Sequence, residues 1–272
     1  MKFSISNIAW PQEEEEIFLK LIKELGCSGV EIASSKIWPE PIKSTLKQRK
    51  SYKSLIQKYC LEIPAMQALL YSRRDLGLFR SHEIEVETIE YLKRLCQLAA
   101  DIGAKILVFG SPANRKRGRI PIEEAFERAA SFFSEIATAA EGQGVCVCIE
   151  PLRPQETDFV TTALQGLKLV NMVDNPGFGL HLDGKAVSEE GKPFSKTLLS
   201  VKSRLKHFHI NDPGLKEINC TGKIDHIALG KALRSSGYDR YASIEMHTVT
   251  DYYDAVKRSI EYSKRVYIGY DA

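Results

Sequence analysis

Eightfold recurrence of one alternation constrains this chain more than any single residue does. Short β-rich runs fall at residues 2–8, 30–33, 62–68, 105–110, 145–150, 178–183, 205–211 and 242–246, and stretches with helical spacing lie between them. Ile89, Leu92, Cys96, Ala99 and Ile102 share one helical face, as do Ala125, Ala129, Phe132, Ile136 and Ala140. Glycines at 26, 103, 142, 144, 177 and 237 precede strands, where a left-handed cap ends a helix. The 272 residues shared among eight units leave about 34 for each, the length of one βα unit.

Eight such units with nearly continuous apolar strands imply a parallel sheet covered by helices, and they close most economically as a single-domain (β/α)₈ TIM barrel over residues 1–272. A doubly wound open sheet is the other arrangement of the same units. Against it, no G-x-G-x-x-G follows the first strand. The chain there reads Ala9-Trp10-Pro11, which cannot cradle a pyrophosphate, so a nicotinamide cofactor is not expected.

Composition narrows the class further. Hydrophobic residues make up 43% and charged residues 27%, which fits a globular chain, and no apolar run approaches the roughly 20 residues of a membrane span. The 38 basic residues exceed the 35 acidic ones by only three, so a nucleic-acid partner is not expected. The one charge block, RKRGR at residues 115–119, reads as a solvated loop. The first ten residues lack the apolar core of a signal peptide, which makes a cytoplasmic location the expectation. Six scattered cysteines without a C-x-x-C pair argue against a zinc ribbon or a disulfide framework.

In such a barrel the catalytic side chains come from the C-terminal ends of the strands. Four candidates sit there: Glu150 closes VCVCIE, Asp183 closes GLHLD, His209 lies in HFHIND and Glu245 ends ASIE. They are 33, 26 and 36 residues apart, about one βα unit each, which sets them at equivalent heights on adjacent strands. Three carboxylates and an imidazole at one mouth repel unless a cation lies between them. One divalent metal ion is the economical answer, and the oxygen and nitrogen donors suit Mn²⁺, Mg²⁺, Co²⁺ or Zn²⁺.

The same residues carry a resemblance. The eightfold pattern, IEP at 149–151, LD at 182–183, HFHIND at 207–212, the GY and SIE of 237–245, the opening SNIAW and the EIAS near residue 31 resemble the xylose-isomerase-like sugar phosphate isomerase/epimerase superfamily along the whole chain. The ketose 3-epimerase branch is the nearest. The resemblance implies a metal held by Glu150, Asp183, His209 and Glu245, with Glu150 and Glu245 as the acid/base pair. It also implies a small sugar or polyhydroxy carbonyl substrate. Two positions depart from it: Ala186 stands where such epimerases often carry a substrate-touching His, and residues 213–215 stand near the place of an Arg. The particular sugar therefore stays open.

Other candidates lie around these four. Glu156 and Arg153, in the loop after the fifth strand, can reach a substrate hydroxyl, carboxylate or phosphate. His247 points to the mouth two residues past Glu245, Gln67 near the end of strand three is a hydroxyl contact, and Trp10 and Trp38 can wall the pocket. His181 and His207 face the same way one layer deeper, as core histidines, while His82 and His226 fall at helix starts. The expected chemistry is proton transfer beside a carbonyl, giving epimerisation or isomerisation. An inosose-type dehydratase, an endonuclease IV-like phosphodiesterase and a barrel that binds a sugar or partner without turnover are the alternatives. The endonuclease needs three zinc ions and more histidine ligands than this chain supplies. The sequence is compatible with a homo-oligomer and sets no stoichiometry.

Overall fold

A computed structural model of the chain describes residues 1–269. Its strands are β1 (Lys2–Ser6), β2 (Gly29–Ala33), β3 (Ala65–Gln67), β4 (Ile106–Phe109), β5 (Cys146–Ile149), β6 (Phe178–Asp183), β7 (Leu205–Ile210) and β8 (Tyr241–Ile244). All pairings are parallel, each strand bonds the next, and β8 returns to β1 with Ile5 opposite Ile244. The expected TIM barrel is thus the observed one. Around it run α1 (Glu15–Glu24), α2 (Ser34–Ile37), α3 (Leu46–Lys58), α4 (His82–Ile102), α5 (Ile122–Gly142), α6 (Ala163–Val173), α7 (Gly184–Glu189), α8 (Phe194–Val201), α9 (His226–Ser235) and α10 (Tyr252–Ser263). No helix among the described residues is long and apolar enough to cross a membrane.

Local chemistry explains these boundaries. Thr45 and Gln48 close a capping box at the start of α3, satisfying backbone donors that the first turn leaves free. Gly103, at φ +92°, ends α4 in the left-handed region and turns the chain into β4. Between strands and helices, Phe133 packs against Phe109 and Phe178 with ring centroids 5.1 and 4.7 Å away. Each such buried aromatic contributes roughly 1.5–3 kcal/mol through the surface it takes from water.

Three details differ from the sequence reading. The third run is a strand only over Ala65–Gln67, because Pro64 has no N–H to give a ladder and Ala68 takes a left-handed φ of 56°. β5 and β8 stop one residue before Glu150 and Glu245, so both acids stand just beyond the sheet. The 115–119 block is a loop with Lys116, Gly118 and Arg119 exposed, but it is anchored at its start: Arg115 is fully buried, and the Arg117 backbone N–H donates to Asp158 at 2.8 Å.

The β6–β7 ladder carries an irregularity. Leu180 pairs with Leu205 but the next residue, His181, pairs with His207, leaving Lys206 as an extra residue on β7. Above it the register is regular, and Asp183 lies opposite His209.

Candidate active site

Barrel closure brings the four strand-end residues to one place. Ligand-capable atoms of Glu150, Asp183 and His209 lie within 4.8 Å of one another. His209 Nδ1 is 3.4 Å from a Glu245 carboxylate oxygen. Asp183 and His209 are fully buried, and Glu150 is 7% exposed.

Neighbours hold each of the four in place. Gly110, just past β4, faces Glu150 so closely that a methyl group there would overlap its carboxylate. Asn211, just past β7, donates its amide to Asp183 at 2.6 Å and to Glu245 at 2.9 Å, while its carbonyl accepts the Lys185 backbone N–H. The other Asp183 oxygen accepts from the Ala186 backbone and caps α7. Glu31 on β2 is fully buried and takes a hydrogen bond from each of two imidazoles, His209 Nε2 at 2.8 Å and His207 Nε2 at 3.0 Å. That leaves His209 Nδ1, buried and without a hydrogen-bond partner, facing the cluster.

The Lys185 ammonium also enters the cluster, 2.9 Å from Asp183. Burial, the Asp183 charge and the Glu245 charge push the Glu150 carboxyl up to about 8. Burial acts the same way on Asp183, but Lys185, Asn211 and the Ala186 N–H together hold it below the usual carboxylate range. For Glu245, burial is outweighed by His209 and Lys185, and its carboxyl lies low. Burial would keep His209 neutral, yet Glu31 and Glu245 raise it well above an ordinary histidine. Glu31 is held ionised against burial by the two imidazoles.

These residues fit a divalent cation on their own chemistry. Three carboxylates and an imidazole nitrogen free of any hydrogen bond converge with no thiolate among them, and a cation would offset both the burial of Glu150 and its repulsion by Asp183 and Glu245. The cluster opens into a cavity of about 560 Å³ at the C-terminal mouth, lined by Gln67, Glu150, Glu156, Lys185, Glu245 and His247 among others.

The remaining candidates divide. Gln67, Glu156 and His247 line the cavity, although Gln67 already donates to Ser6 Oγ at 2.5 Å. Arg153 is engaged away from it, by Glu156 at 3.0 Å and Glu189 at 3.1 Å. Trp10 and Trp38 do not wall the cavity. Trp10 stacks on Phe18 at 4.9 Å and bonds Glu15 with its indole N–H, and Trp38 packs edge-on against Tyr52, because both rings bury more surface under the helices than at the mouth. His181 lies one layer below the cluster, its ring 4.1 Å from that of His209, and His226 starts α9 bonded to Asp212 at 2.8 Å.

Three site residues escaped the sequence reading. Glu31 and Asn211 stood inside quoted motifs, EIAS and HFHIND, without an assigned role. Lys185 carried no local signal, since a lysine after a strand-end Asp is most often a solvated helix residue.

The arrangement is that of a TIM barrel whose catalytic mouth holds a candidate metal centre. The chain belongs to the xylose isomerase-like TIM barrel family, whose profile matches residues 19–266. It is 27% identical to a probable ketose 3-epimerase of Synechocystis sp., over 92% of this chain and 86% of that one. A fructoselysine 3-epimerase of Shigella flexneri is 25% identical over 83% of each chain. Among solved structures, a D-psicose 3-epimerase with D-fructose superposes with a TM-score of 0.83 at 15% identity, covering 98% of this chain and 99% of that one. An Escherichia coli 3-keto-D-glucoside 4-epimerase superposes at 0.80 and 18% identity, covering 97% and 99%. At those identities the superpositions speak for the fold alone.

Proposed function

We propose that this protein is a divalent-metal-dependent epimerase or isomerase of a small sugar or related polyhydroxy carbonyl compound. The observation that carries the reading is the pairing of Glu150 and Glu245. They come from β5 and β8, reach one buried cluster from separate sides, and are pushed in opposite directions by their surroundings. The names of the curated relatives support the substrate class.

Glu150, Asp183, Glu245 and His209 Nδ1 would hold the ion, one of Mn²⁺, Mg²⁺, Co²⁺ or Zn²⁺. When bound, it supplies positive charge for two vicinal substrate oxygens and for the enediolate that proton removal creates. One glutamate takes the proton from the carbon beside the carbonyl, and the other delivers a proton. Delivery to the opposite face inverts that carbon, whereas delivery to the neighbouring carbon exchanges aldose and ketose. Asp183 is held by α7 and Asn211 and keeps a fixed place. Gln67, Glu156 and His247 face the sugar hydroxyls, and Arg153 holds Glu156 in position.

The test is proton exchange. Protein with added Mn²⁺ should incorporate solvent deuterium into a ketose from a panel of ketohexoses and ketopentoses in D₂O, followed by NMR. A panel that includes inososes and 3-keto sugars and gives no exchange with any metal would remove the proposal.

A further inference from the structure

The opposite end of the barrel carries a second cavity, of about 600 Å³, with a different character. Lys2, Lys53, Lys105, Lys206 and Arg240 line it, against Glu62 as the acid in its wall. Lys2 and Glu62 pair with each other at 2.9 Å. Among the described residues none of the other four cations has a carboxylate partner within ion-pair distance. The N-terminal face of such barrels ordinarily serves stability, and like charges gathered without counter-ions do not serve it.

Two features show that the cavity is built rather than merely charged. The ladder irregularity on β7 makes Lys206 the extra residue and re-aims its side chain into the barrel's lower opening. Gly179 across the ladder makes room: a Cβ there would lie 2.5 Å from Lys206 Cγ and 3.2 and 3.3 Å from the sulfurs of Cys146 and Cys148. At the inner end sits His207, fully buried, with Nε2 bonded to Glu31 and Nδ1 lacking any hydrogen-bond partner. One wall is apolar, formed by Ile56 of α3 and Ile102 of α4.

We propose that this N-terminal mouth is an anion-binding site for a phosphate-bearing small molecule, held by Lys53, Lys105, Lys206 and Arg240 with His207 at its inner end. Clustered ammonium and guanidinium groups suit the several oxygens of a phosphate, and charge-assisted hydrogen bonds are the strong ones. The isoleucine wall accepts an apolar portion of an ester. The site opens at the end of the barrel opposite the candidate active site, and Glu31, bonded to both His207 and His209, links its inner end to that cluster.

Calorimetric titration of the full chain with inorganic phosphate and with AMP tests this. EDTA in the buffer removes any metal that could hold an anion at the C-terminal mouth. Saturable binding is expected for the wild type, with AMP the tighter ligand if an ester is the natural occupant and inorganic phosphate the tighter if it is the free ion. Lys206→Met and Arg240→Gln should each weaken it about tenfold, the worth of one charge-assisted hydrogen bond. Glu150→Gln, at the opposite end, should leave it unchanged. Arg240 is exposed, so its variant folds even if Lys206→Met does not. The ring resonances of His207 should also shift on saturation. No saturable binding by the wild type, unchanged affinity in Arg240→Gln, or loss of affinity in Glu150→Gln would each overturn the proposal.

Discussion

Glu31 Oε1 lies 2.8 Å from His209 Nε2, so a carboxylate on β2 orients an imidazole on β7 and presents the other ring nitrogen to the cluster. A hydrogen bond of this kind sets the tautomer of a ligating histidine and raises its basicity. Glu31→Gln should weaken Mn²⁺ binding by about 10- to 100-fold, the usual effect of losing such a partner. Calorimetric titration with Mn²⁺ reads this directly, and an unchanged affinity would mean that the bond only packs the core.

Ligand and proton-transfer roles separate by substitution. Asp183→Asn and His209→Ala should lower metal affinity first, with partial rescue by excess metal. Glu245→Gln should keep more metal than either and lose turnover by several orders of magnitude, because a proton acceptor goes with the charge. Metal content by elemental analysis beside kcat settles it. Equal metal loss in all three would reduce Glu245 to a ligand.

Gly110 gives a steric test that removes no charged group. Gly110→Ala places a methyl on the Glu150 carboxylate and must displace it, while the backbone at 110 has no positive φ that a side chain would strain. We expect kcat/KM to fall at least about tenfold, as a displacement near 1 Å can cost more than that. Thermal melting should change little. A fully active Gly110→Ala would show that Glu150 does not work from the position seen here.

Metal uptake should depend on pH with a definite sign. Glu150 is raised to about 8, so below that pH it is protonated and must release its proton to ligate. Affinity should therefore rise with pH through about 8, with protons released on binding, and His209, raised well above an ordinary histidine, must likewise give up its Nδ1 proton to ligate. Titrations in buffers of differing ionisation enthalpy count those protons. In Glu150→Gln the rise near 8 should disappear.

Chelator should act on activity rather than on the fold, since the barrel closes through its own ladders and core. Excess EDTA is expected to abolish deuterium exchange and leave the far-ultraviolet circular dichroism unchanged, with activity restored by Mn²⁺. Exchange that persists in EDTA would remove the metal from the mechanism.

Much of this protein is legible from one dimension. Period and punctuation alone imply eight βα units, and strand alternation aims Glu150, Asp183, His209 and Glu245 at one mouth, since the ends of parallel strands face the same way. What sequence leaves undecided are contacts made by barrel closure and by rotamer choice. Glu31 meets His209 across 178 residues, and no local pattern on β2 or β7 reports that meeting. The fate of Trp10 is settled by competition between burial beneath α1 and exposure at the mouth, a choice that depends on the space Phe18 leaves. Lys185 reaches Asp183 because Asn211 and the cap of α7 fix its backbone. Lys206 points down the barrel because one residue was added to β7, and a shift of register by one residue changes the face on which a side chain lies. Periodicity places residues on elements, whereas only the packed structure decides which of them touch.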